Sequence, residues 1–141
     1  MSDTVPWVGG TTVVVDDNAA SAAMLAEFLR LIGHCSEVLP VTTVEAVADA
    51  ILARSPDIAF LDLSLAGIDG REIASALRAG GSRTHLIAIT GFGRPEDIES
   101  TRRAGFDEHW VKPLDIDRVE RFMAAAPRRV PEPSAGGESV E

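Results

Sequence analysis

At 141 residues, 45% hydrophobic and 25% charged, the chain is long enough for one domain with a proper core and too short for two. Its net charge of −9 argues against nucleic acid and anionic membrane surfaces as direct ligands, because both call for a basic face. A single cysteine, Cys35, forms no internal disulfide, no apolar run reaches membrane-spanning length, and no signal-peptide pattern opens the chain. A soluble cytoplasmic domain is expected.

Residues 1–10, with Pro6, Trp7 and Gly9-Gly10, read as a short lead-in, with Trp7 packing on the domain edge. A first strand is expected at 11–16, ending in Asp16-Asp17. A helix follows from about 18 to 32, capped by Asn18 and stopped by Gly33, with Met24, Leu25, Phe28, Leu31 and Ile32 as its inner face. The second strand, 34–39, is polar enough for a sheet edge. The second helix opens on the capping box Thr42-x-x-Glu45 and runs to Pro56, with Val44, Val47, Ala48, Ile51 and Leu52 at helical spacing. The third strand, 57–62, ends in Asp62. Its helix begins near Asp69, buries Ile73 and Leu77, and stops at Gly80-Gly81.

The fourth strand, 84–90, ends in Thr90. Its helix starts at Pro95, carries Glu96 and Asp97 in the first turn and Arg102 and Arg103 in the last, and ends at Gly105, an order that suits the helix dipole. The fifth strand, 107–111, is short and mixed, as at the other edge. Lys112-Pro113 follows, and then a helix from about Asp115 that buries Val119, Phe122 and Met123. Residues 127–141 lack apolar periodicity and read as a disordered tail, so the domain spans 11–126. This alternation makes an α/β fold with a doubly wound five-stranded parallel sheet, helices on both faces and right-handed crossovers.

A parallel sheet gathers the carboxyl ends of its strands along one edge. Asp16, Asp17, Asp62, Thr90 and Lys112 should therefore converge there. Lys112 is the only lysine in the chain; the other twelve basic residues are arginines. Three adjacent carboxylates repel one another unless a cation joins them, and an all-oxygen donor set favours a hard ion such as Mg²⁺. One carboxylate can then serve as a nucleophile toward phosphorus while cations neutralise the oxygens. Singly, each residue reads more readily as a cap, a turn or a surface charge. Caps alone do not place such a set at the ends of four strands.

With Asp16-Asp17, Asp62 and the downstream Gly67-Ile-Asp-Gly70, Thr90-Gly91 and Lys112-Pro113, the chain resembles the receiver domain of two-component response regulators over residues 11–126. The resemblance implies a flavodoxin-like fold, and the strand order 2-1-3-4-5 is taken over from the family. It implies Asp62 as phospho-acceptor, with Mg²⁺ held by Asp17, Asp62 and the backbone carbonyl of Ser64, and by Asp16 through water. Lys112 would pair with the acceptor, Thr90 would contact the phosphoryl group, and the Lys112–Pro113 peptide would be cis. His109 stands where the family usually has Tyr or Phe, and the run Ala104–Lys112 is similar to receivers associated with hybrid sensor kinases. Ala66 replaces a common proline, and Ser64 and Phe92 occupy positions that tune phosphoryl lifetime. His34 and His85 read as plain edge or surface polarity.

The function implied is a single-domain response regulator that takes a phosphoryl group from a histidine kinase or histidine phosphotransfer protein. It would signal through protein contacts as a monomer or weak homodimer, without turnover of a substrate as an enzyme. Thr90 and His109 would form the switch, coupled to a partner face of fourth helix, fifth strand and fifth helix carrying Arg94, Arg102, Arg103 and Trp110. A pseudo-receiver scaffold has no need of so costly a carboxylate cluster. A phosphatase of the haloacid-dehalogenase type would carry Asp-x-Asp after its first strand, where this chain has Asp16-Asp17-Asn18.

Overall fold

The computed structural model describes residues 10–65, 67–91, 93 and 95–125. Trp7, Ala66, Phe92, Arg94 and the tail from 127 lie outside them. In chain order the elements are β1 (Thr11–Val15), α1 (Ala19–Leu31), β2 (Cys35–Val38), α2 (Val44–Arg54) and β3 (Ile58–Asp62), then β4 (Ser64–Leu65), β5 (Ile68–Asp69) and α3 (Gly70–Ala79). They finish with β6 (His85–Thr90), α4 (Pro95–Ala104), β7 (Glu108–Val111) and α5 (Ile116–Ala125).

Five strands form one parallel sheet in the order β2-β1-β3-β6-β7. Leaving aside the small antiparallel hairpin β4–β5, this is the expected order 2-1-3-4-5. The central strand β3 is buried throughout because helices cover both its faces, whereas β2 is largely exposed at its edge. Val13, Leu39 and Leu61 pack with Val47 and Ile51 of α2 and Ile73 and Leu77 of α3 on one face. Val14, Phe60, Ile87 and Trp110 pack on the opposite face with Leu25 and Leu29 of α1 and Met123 of α5. Each large aliphatic side chain so buried contributes about 1.5–3 kcal/mol before the entropy of ordering is set against it.

Some expectations need correction. On α1 the stripe Ala22, Leu25, Ala26 and Leu29 faces the sheet, while Met24 and Leu31 are 68% and 83% exposed. Both sets have helical spacing, but the alanines let the helix approach the strands closely, and that favours their side. The α2 cap is Thr43, whose hydroxyl accepts from the Ala46 N–H at 3.0 Å, so Thr42 and Glu45 form no capping box. Trp110 is 2% exposed, edge-on to Phe122 and tilted against Phe60, and is therefore a core residue instead of a partner contact. His34 is buried behind the end of α1, not an edge polar group. The hairpin β4–β5 is unanticipated, because two-residue strands carry no periodicity.

Candidate functional site

The register aligns the strand ends. Val15 lies beside Leu61, Asp62 beside Ile89, and Thr90 beside Val111. Residues that follow or close these strands therefore meet at one edge of the sheet. Asp16, Asp17 and Asp62 each bring a carboxylate oxygen within 4.8 Å of the others. The Lys112 ammonium donates to Asp62 Oδ2 at 2.5 Å and lies 4.0 Å from Asp16 Oδ2. Thr90, 3% exposed, closes β6 beside them, and its carbonyl accepts from the Lys112 N–H at 2.7 Å. That bond places the β7 end, and so the lysine, against β6. The five residues singled out from the sequence are thus brought together.

Backbone groups complete the site. Asp62, 3% exposed, receives the Ser64 N–H on Oδ1 at 2.8 Å, so both its oxygens are engaged. The Asn18 N–H donates to Asp16 Oδ1 at 2.9 Å, while the Asn18 side chain accepts from Ser21 and caps α1. The α1 cap is therefore Asn18, and neither aspartate serves in that role. The Lys112–Pro113 peptide is cis.

Burial pushes the Asp16 carboxyl above the usual carboxylate range; the Asn18 N–H opposes this, Asp62 adds to it and Lys112 opposes it. Burial alone would lower the Lys112 ammonium, but its hydrogen bond and attraction to Asp62, with Asp16 and Asp17 behind, hold it above the usual lysine value. One carboxylate cluster thus carries excess negative charge that a single ammonium does not cancel.

Gly70 belongs to the site for a reason that spacing does not reveal. A Cβ there would stand 2.9 Å from the Asp62 carbonyl oxygen and 3.1 Å from Leu63 Cα. The start of α3 presses on the backbone that carries the acceptor, and only glycine allows it. Thr101 carries no signal in the sequence that marks it for the site. It is 1% exposed on a polar helix, and its hydroxyl meets His109 Nδ1 at 3.0 Å. His109 is half-buried on the α4 side of β7, neither a solvated edge residue nor a core residue. Arg102 and Arg103 are exposed and pair with Glu99.

Among the described residues no helix is long and apolar enough to cross a membrane. Sporulation initiation phosphotransferase F of Bacillus subtilis is 25% identical over 107 residues, covering 76% of this chain and 85% of that protein. The transcriptional regulatory protein TcrA of Mycobacterium tuberculosis is 31% identical over 131 residues, 89% of this chain but only 49% of that one. The receiver domain of sensor histidine kinase PA1611 from Pseudomonas aeruginosa PAO1, solved with a magnesium ion coordinated in its active-site cleft, superposes with a TM-score of 0.70 at 23% identity, covering 82% of this chain and 95% of the other. Residues 12–123 match the response regulator receiver domain, and with the acidic cluster and Lys112 at the same sheet edge the chain belongs to that family.

Proposed function

We propose that the chain accepts a phosphoryl group on Asp62 from a phosphohistidine donor and signals through protein contacts in the cytoplasm. The observation that carries this is a nearly buried carboxylate held at 2.5 Å by the only lysine, inside a three-carboxylate cluster. The donor set is oxygen only and bears more negative than positive charge, which fits a hard divalent cation. Asp17, Asp62 and the Ser64 carbonyl would hold Mg²⁺, with Asp16 reaching it through water, as the magnesium in the cleft of the Pseudomonas receiver supports. Mg²⁺ when bound supplies charge neutralisation for phosphoryl oxygens.

The protein's own groups do the rest. An Asp62 oxygen attacks phosphorus as the P–N bond to the donor imidazole breaks, and the electron pair leaves with that nitrogen. The Ser64 N–H orients the carboxylate, Lys112 neutralises charge on oxygen, and Thr90 offers its hydroxyl to a phosphoryl oxygen. Burial of Asp62 limits water access to the acyl phosphate. Thr90 moving toward the phosphoryl group then biases His109 and the α4–β7–α5 face, a shift that needs two packings separated by only a few kcal/mol.

Incubation with Mg²⁺ and acetyl phosphate, followed by intact-mass measurement, tests the reading. One labile phosphoryl adduct is expected in the wild type and none in Asp62→Asn, which keeps the shape and removes the nucleophile. No adduct in the wild type would identify a scaffold. Steady phosphate release would identify a phosphatase, and an adduct at the wild-type rate in Asp62→Asn would place the acceptor elsewhere.

A further inference from the structure

α4 buries the fewest residues of the five helices. Its mean hydropathy is the lowest of the five, and Thr101 is its single buried residue. Adjacent positions on it make two side-chain ties to the body of the domain. Ser100 Oγ accepts from Arg71 Nη1 at 2.8 Å, and Arg71 is itself held by Asp69 of β5 at 2.8 Å. Thr101 Oγ1 lies 3.0 Å from His109 Nδ1 of β7.

The direction of the second tie follows from proton counting. A threonine hydroxyl has one proton, and that of Thr101 is donated to the Ile98 carbonyl at 2.8 Å. With that proton on the carbonyl, the Thr101 oxygen is left to accept from the imidazole, an arrangement that fits a proton on His109 Nδ1. Thr101 and Thr90 line the same cavity of about 570 Å³ between α4 and the hairpin β4–β5. The residue that binds the histidine ring and the residue expected to respond to the phosphoryl group therefore border one space.

We infer that Thr101 is a positioning residue. Its hydroxyl holds His109 against α4 as the Nδ1–H tautomer and, with Ser100, retains α4 over the cavity beside Thr90. The tie exists in the unphosphorylated protein; its release on phosphorylation rests on the function proposed above. Thr101→Val removes the acceptor at nearly constant volume, and Thr101→Ser restores it.

Heteronuclear NMR of the histidine rings and amide exchange along α4 test the tie without Mg²⁺ or phosphodonor. The wild type should show the Nδ1–H tautomer at His109. Thr101→Val should lose it and speed exchange of the α4 amides about fivefold, the scale of one lost hydrogen bond, while Thr101→Ser behaves as wild type. An Nε2–H tautomer in the wild type, or an unchanged tautomer in Thr101→Val, would overturn the assignment even if that variant folded poorly. With acetyl phosphate and Mg²⁺, wild-type protein whose mass shows the adduct should lose the Nδ1–H signature. An adduct with that signature intact would overturn the role in the switch. Absence of any adduct would count against the acceptor assignment alone, and the readouts without phosphodonor would still decide the tie.

Discussion

Asp17 sits on the exposed side of a cluster in which its charge is repelled by Asp16 and Asp62. Asp17→Asn should therefore raise the melting temperature in chelator, by a repulsion worth up to about 1 kcal/mol near a solvated surface. The same variant should lose most of the stabilisation that Mg²⁺ gives the wild type, because a ligand bound only by the folded state stabilises it. Thermal melts with and without Mg²⁺ check both signs. Equal Mg²⁺-induced shifts in the two proteins would remove Asp17 from the metal site. Gly70→Ala makes the opposite kind of change. Its methyl group would collide with the Asp62 carbonyl and Leu63, costing about 1–3 kcal/mol of stability and displacing the acceptor. Chemical denaturation and the rate of adduct formation should both report it.

Arg78 shows how one side chain can hold several elements. From α3 its guanidinium donates to the carbonyls of Ser82, Thr84 and Gly105 and to the Asp107 carboxylate, at 2.8–3.1 Å. It thereby joins the end of α3 to the approaches of β6 and β7. The Asp107 carboxylate also accepts the Leu86 N–H at 2.8 Å, which extends the network into the sheet. Arg78→Met should cost about 2–4 kcal/mol, since three part-buried carbonyls lose a charged donor. Urea unfolding measures this, and amide exchange should quicken first between 80 and 86 and around 105–107. A loss spread evenly over the sheet would contradict the assignment. Lys cannot substitute well here, because a point-like ammonium lacks the planar fork that reaches carbonyls on both sides.

Acid stability brings contributions from the whole molecule together. Burial lowers the His34 imidazole below its ordinary value of 6.5, so the folded protein binds its proton later than the unfolded chain does. That stabilisation is complete above about 6.5 and is lost as pH falls below it toward the folded value. Asp16 works in the opposite sense. Its raised value favours the folded state at low pH, and the benefit is lost as pH rises through the folded value. Asp69, paired with Arg71, is held below the usual range, and its contribution disappears only at lower pH still. Stability measured from pH 7.5 downward should therefore begin to fall near pH 6.5, and His34→Gln should flatten that first part of the curve. An unchanged slope in His34→Gln would mean that another group titrates there.

Much of this was legible in the chain because periodicity and punctuation report local structure. Continuous apolar runs marked the buried strands, Asn18 and Asp69 marked helix starts, and Gly33 and Gly105 marked helix ends. A parallel sheet then brings the strand ends together, so the convergence of Asp16, Asp17, Asp62, Thr90 and Lys112 follows from their places at those ends. Four features needed the tertiary structure. Helical spacing offered two apolar stripes on α1, and close packing of alanines on the sheet chose the one that leaves Met24 and Leu31 outside. Alternation along β7 did not say which neighbour faces the α5 core, and burial there went to Trp110. The need for glycine at Gly70 and the bond between Thr101 and His109 arise where segments distant in sequence touch, and side-chain identity encodes such contacts only after the backbone has set their distances.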